Sequence, residues 1–300
     1  MIHRLRTPWR RRPAVAGALL ALAALAPMAA PDAADAAGWT RLPSYQTWTA
    51  LTALARGQGV STDGTYYYFS GTNSLDKVTI SGLNDVKTTF GAIPAALAAT
   101  YGSNHIGDND SYGGYVVAPI EDGSNYQHPL LALFNASDLS YTGRYVQLPL
   151  NLMPGGVPWV AVDAAAGLVY TAPWNQDAAS GSDHLVAYSL HDLLTLPAGA
   201  ALPVVRTVKL SQPLSRIQGA KMWRGQLWAS ADLSGNKSVW TVDPATGATA
   251  WQFAQDVQPN DEVEGLVALD QGAGGGQLHI LNVGSGWKSI FLYFQHYAGS

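Results

Sequence analysis

One pattern recurs five times along this chain, and that repeat limits the fold more than any other feature. Each copy has a short apolar strand, a turn holding Gly or Asp, and a second strand rich in aromatic or branched residues. A polar loop and a third strand follow. The copies open at Gly57-Gln58-Gly59-Val60, His105-Ile106-Gly107-Asp108, Val157-Pro158-Trp159-Val160, Ile217-Gln218-Gly219-Ala220 and Val263-Glu264-Gly265-Leu266. They turn at Asp63-Gly64, Gly113-Gly114, Ala166-Gly167, Arg224-Gly225 and Gly274-Gly275-Gly276. The equivalent positions 59, 107, 159, 219 and 265 lie 48, 52, 60 and 46 residues apart.

Spacings near 40–50 residues suit four-stranded propeller blades, and the longer gaps imply loop insertions. The expectation is therefore an all-β, five-bladed β-propeller over residues 37–300. Residues 39–54 precede the first inner strand and are expected to give the last blade its outer strand. Residues 290–297 would be that blade's third strand, so the two ends of the chain close the ring and remove open sheet edges. Residues 92–99 and 191–196 read as short helical turns within connections.

The first 36 residues read as an export signal. Arg4, Arg6, Arg10, Arg11 and Arg12 precede an apolar run over residues 14–26, which is too short to span a bilayer, and Ala34-Asp35-Ala36 fits a cleavage site. Adjacent arginines resemble a twin-arginine leader, with Pro13 in the place of a bulky apolar residue. Without this segment the chain holds 12 basic and 19 acidic side chains. An acidic surface with no basic run argues against a nucleic-acid partner. The chain has no cysteine, which excludes a disulfide framework and thiolate metal sites. The expectation is a secreted monomer with no membrane span that meets a small molecule or a glycan.

In a propeller, the starts of the inner strands and the loops between second and third strands share one face around the axis. That geometry gathers Gln58, His105, Asp108, Trp159, Gln218 and Glu264, and adds Glu121, Asp122, His128 and Trp174. The copies share their apolar and glycine frame but hold Gln58, Ile106, Pro158, Gln218 and Glu264 in equivalent slots. Five equal sites would need equal residues, so the differences favour one asymmetric site at the channel mouth.

Two acidic segments stand out. By strand alternation Asp108 and Asp110 point one way, and Glu262 and Glu264 project together. Close carboxylates repel when ionised, so burial calls for a shared proton or a cation. Three readings stay open. The carboxylates cap inner strands, they hold calcium, or they act in acid–base or nucleophilic chemistry on a glycan. In the catalytic reading His105, Glu121 and Glu264 carry the chemistry, while Gln58, Trp159, Trp174 and Gln218 hold the substrate. In the metal reading Asp108, Glu262 and Glu264 bind Ca2+. No nucleophile elbow, P-loop or dinucleotide fingerprint is present.

The inner-strand, turn and aromatic-strand pattern, with the opening Glu262-Val263-Glu264-Gly265-Leu266, resembles secreted propellers of the broad NHL, YncE-like and phytase-like kind. That resemblance implies the architecture and no named activity. Two functions follow as expectations: a cation-assisted hydrolase or lyase acting on a glycan or phosphate-bearing substrate, or a non-catalytic extracellular propeller that binds glycan or protein. A structural secreted protein is a third.

Overall fold

The computed structural model describes residues 38–271 and 275–299, apart from the side chain of Trp287. The leader expected over residues 1–36 lies outside these residues, as does Gly274 of the fifth turn. The described residues belong to one unit. Five sheets appear in it, one for each copy in the sequence. Blade 1 comprises Gly59–Thr62, Tyr66–Gly71, Ser74–Thr79 and Asp85–Phe90. Blade 2 has an interrupted inner strand, His105–Ile106 and Asp110–Tyr112, then Tyr115–Glu121, Leu130–Asn135 and Tyr141–Gln147. Ala200–Ala201 joins its outer edge in parallel. Blade 3 is Ala161–Asp163, Leu168–Thr171, His184–Ser189 and Val204–Lys209, and blade 4 is Ile217–Trp223, Gln226–Leu233, Asn236–Val242 and Thr249–Ala254.

Blade 5 joins the two ends of the described chain. Its strands Glu262–Asp270, Gly276–Val283 and Phe291–Gly299 are completed by Trp39–Arg41 and Gln46–Thr49, both antiparallel to Phe291–Gly299. The fold is the five-bladed β-propeller that the repeat predicts. Helices α1 (Ala50–Arg56), α2 (Ala95–Tyr101) and α3 (Leu190–Thr195) lie in connections. The sequence pointed to α2 and α3 but not to α1.

Strand parity explains why the sheets form a ring. Alternate residues of a strand face opposite neighbours, so a sheet packed on both sides must be apolar at nearly every position. In blade 1, Tyr67 and Phe69 pack with Leu281 and Phe294 of blade 5, while Tyr68 between them packs with Ile106 and Phe134 of blade 2. In blade 2, Leu130, Ala132 and Phe134 face blade 1, and Leu131 and Leu133 face Val186 and Tyr188 of blade 3. Tyr170 and Leu227 bridge blades 3 and 4, and Trp228, Leu266 and Tyr297 bridge blades 4 and 5. Five apolar clusters thus alternate with five sheets around the axis.

At the centre the inner strands approach backbone to backbone, which four glycines permit. A Cβ on Gly59 would lie 2.7 Å from Asp108 Oδ1, one on Gly107 2.8 Å from the Pro158 carbonyl carbon, and one on Gly219 2.7 Å from the Glu264 carbonyl oxygen. A Cβ on Gly265 would lie 2.5 Å from Gly59 Cα. These are the recurrent glycines of the sequence repeat. Blades 2 and 3 also bond directly: Asp108 N donates to Pro158 O at 2.9 Å and Val160 N to Asp108 O at 3.1 Å.

Candidate functional site

The mouth of the axis is a polar pocket of about 270 Å³, and every blade contributes to it. Gln58 comes from blade 1. His105, Glu121 and Tyr126 come from blade 2, Gly155 and Pro158 from the approach to blade 3, and Trp174 from the loop between its second and third strands. Gln218 belongs to blade 4 and Glu262 to blade 5. Six of the residues expected at the site therefore line one pocket: Gln58, His105, Glu121, Trp174, Gln218 and Glu262.

Hydrogen bonds hold these side chains in an arc. His105 Nε2 and Gln58 Oε1 are 2.6 Å apart, and Gln58 Nε2 donates to Gly57 O at 3.1 Å. On its other side, His105 Nδ1 lies 3.1 Å from Glu121 Oε1, within charge contact but without hydrogen-bond alignment. Glu121 is fixed from below, where Oε2 accepts from Val157 N at 2.8 Å. Gly156, at φ +104°, makes room for that carboxylate, because a Cβ there would strike Glu121 and Tyr126. Across the mouth, Gln218 Nε2 donates to Glu262 Oε1 at 2.8 Å.

Glu264 lies beneath this arc and is buried. Its Oε2 has no hydrogen-bond partner. Burial first, then the Glu262 and Asp108 carboxylates, push its carboxyl well above the ordinary value. Glu262, by contrast, is exposed. The two glutamates are near enough to interact, as alternation predicts, but only Glu262 lines the pocket.

Besides Glu264, four expected site residues, Trp159, Asp108, Asp122 and His128, lie outside the pocket, for identifiable reasons. Trp159 is fully buried and belongs to the core between blades 3 and 4, with Tyr170 and Leu227, so it cannot form a substrate wall. Asp108 does not fit a calcium ion. Its Oδ1 accepts from Val60 N at 2.8 Å, and its Oδ2 accepts from Ala220 N at 3.1 Å and from Lys221 Nζ at 2.8 Å. An ammonium stands where a cation would have to bind, and calcium asks for six to eight oxygens. Among the described residues, no three His, Asp or Glu side chains gather as a metal site. His128 pairs with Asp122, its Nδ1 3.2 Å from Oδ2, and does not line the pocket.

Sequence reasoning missed Tyr126 and Lys221. Tyr126 lies in the loop after Glu121, at φ +53°, and the available signal was an aromatic residue between Asp122 and His128. Lys221 had a clearer signal. It is a lone cation inside the apolar strand Ile217–Trp223, and a buried ammonium calls for compensating partners such as a carboxylate.

No helix among the described residues is long and apolar enough to cross a membrane. No family model matches the chain, and no curated protein matches it. Among solved structures the chain is similar to apo AztD from Citrobacter koseri, with 14% identity and a TM-score of 0.35. The match covers 64% of this chain and 45% of that one, so it spans less than half of the solved protein.

Proposed function

We propose that this protein is an exported propeller with one ligand site, the axial mouth, which binds a single small hydroxyl-rich molecule of the glycan class. The observation that carries the reading is the lining itself. Carboxylates of Glu121 and Glu262, amides of Gln58 and Gln218 and the imidazole of His105 surround one pocket, flanked by the rings of Tyr126 and Trp174. Hydroxyl groups satisfy such acceptors and donors together, and an indole face suits a sugar ring. Among the described lining residues none is Lys or Arg. A phosphate group there would meet two carboxylates with only the His105 imidazole to set against them, which favours the glycan over the phosphate-bearing class.

Calorimetric titration against a panel of neutral methyl glycosides and inorganic phosphate tests this. The reading expects saturable binding of at least one glycoside, weakened at least tenfold by Trp174→Ala with the melting temperature retained. Phosphate binding in preference to every glycoside would refute it.

A second reading, turnover of the bound ligand, is favoured by the contact between the His105 imidazole and the Glu121 carboxylate at the pocket wall. In that reading His105 and Glu121 accept and return a proton at the pocket wall, and the buried Glu264 beside Glu262 is the further acid. His105→Ala and Glu264→Gln would then abolish turnover without lowering the melting temperature. Activity that survives both substitutions counts against catalysis and leaves binding.

A further inference from the structure

A second cavity of about 290 Å³ opens beside the mouth, between helix α1 and the third strand of blade 5. Its walls are mainly apolar: Ala53 and Leu54 on α1, Val283 at the end of the second strand of blade 5, and Ile290 and Leu292 where the third begins, with the hydroxyl residues Thr72 and Ser289 among them. Leu54 is 67% exposed and Ile290 59% exposed, so both present bare hydrocarbon to the solvent of this cleft. The α1 wall is fixed in place. Arg56 at its end is buried, donates from Nε to Asp76 Oδ2 at 2.6 Å, and lies over the Trp48 ring at 4.6 Å. Ala50, which starts α1 and also lines the cleft, sits at φ +52°. A non-glycine residue held in that region costs energy and is typical of binding sites.

Gln58 lines both cavities. Held by His105 and by the Gly57 carbonyl, it forms the border between an apolar cleft and a polar pocket on the same face of the ring. We infer that the two are subsites for one amphiphilic ligand, a glycoside whose sugar occupies the axial mouth and whose apolar aglycone or alkyl chain lies in the cleft between α1 and blade 5. This rests on the reading of the mouth as a glycan site. The size agrees: a cavity of about 150 Å³ holds a benzene ring, and the cleft has roughly twice that volume. The division of chemistry agrees as well, since Gln58 is the one amide among the described lining residues of the cleft and also lines the mouth. A protein segment would have no reason to share that border with the sugar pocket.

The test compares methyl and hexyl glycosides of the same sugar by calorimetry, in the wild type and in a Leu54→Ser/Ile290→Ser double variant. Both positions are largely exposed, so the substitutions leave the core intact. Each fully buried methylene strengthens binding about fourfold. With the chain partly covered, the hexyl glycoside is expected to bind the wild type at least tenfold more tightly than the methyl one. The double variant should lose that gain and bind the methyl glycoside as the wild type does. Equal affinity for methyl and hexyl forms in the wild type, or a gain that survives in the variant, overturns the cleft as a tail subsite while the mouth reading stands. If no glycoside of either length binds, the mouth reading fails and the amphiphile inference fails with it.

Discussion

Lys221 Nζ lies 2.8 Å from Asp108 Oδ2, with the two side chains 5% and 0% exposed, and the pair joins blade 4 to blade 2 across the propeller axis. The same ammonium donates to Asn109 O at 2.6 Å, and the same carboxylate accepts from Val60 N of blade 1. Three of the five blades therefore meet at one buried carboxylate. Removing the lysine leaves that carboxylate uncompensated in the interior, which typically costs about 3–5 kcal/mol. Lys221→Met is expected to lower the denaturant midpoint accordingly, with the m-value unchanged. Replacing both partners, as in Asp108→Asn/Lys221→Met, should destabilise less than Lys221→Met alone.

The central glycines make a steric prediction. A Cβ on Gly265 would sit 2.5 Å from Gly59 Cα and 2.7 Å from Val60 N, both backbone atoms that cannot rotate aside. Gly265→Ala should cost about 1–3 kcal/mol, the usual range for overpacking. Thermal or denaturant melts check this, and a neutral substitution would mean that the inner strands are less closely packed than described.

Burial of Glu264 makes stability depend on pH in an unusual direction. Burial first, then the Glu262 and Asp108 carboxylates, hold its folded-state carboxyl well above the ordinary 4.5. From about pH 4 upward the unfolded chain releases this proton and the folded chain keeps it, so Glu264 makes stability fall as pH rises. Glu264→Gln, which mimics the neutral acid, should raise the melting temperature at pH 8 and leave it unchanged at pH 4. An equal effect at both values would contradict a raised carboxyl.

Two buried histidines act in the opposite sense. His279 and His296 contact each other through their Nδ1 atoms, and His296 Nε2 lies 2.6 Å from Gln46 Oε1 on the closing N-terminal strand. One Nδ1 must donate and the other accept, so the contact holds a single proton. Burial, and for His279 also the neighbouring imidazole, lowers their titration to about 3 and about 4. Below pH 6.5 the unfolded chain gains protons that the folded chain refuses, and stability is lost as pH falls towards 4. In a His296→Gln variant the slope of melting temperature between pH 6.5 and 4 should be shallower than in the wild type.

The ring was legible in the sequence because each copy repeats the same local chemistry. Asp63-Gly64 and Gly113-Gly114 form tight turns with Gly64 and Gly114 at φ +85° and +84°, and the aromatic strands after them, such as Tyr66–Gly71, are buried on both faces. The mouth was legible in part, since polar residues beside the repeated glycine, such as Gln58 and Gln218, do reach the pocket. Trp159 was misleading because it occupies the slot that holds glycine in the other copies. The bonds from Asp108 N to Pro158 O and from Val160 N to Asp108 O set the rotation of that segment and swing the indole between blades 3 and 4. Asp108 read as a metal ligand because its partner, Lys221, lies 113 residues away and no local pattern joins them.

The central claim is one site at the axis rather than one per blade, and binding stoichiometry tests it most directly. Titration with the best-binding methyl glycoside is predicted to give one ligand per chain, and Gln218→Ala, at the mouth, should weaken that single event. A stoichiometry near five, or a single event indifferent to Gln218 and Trp174 alike, would contradict the account.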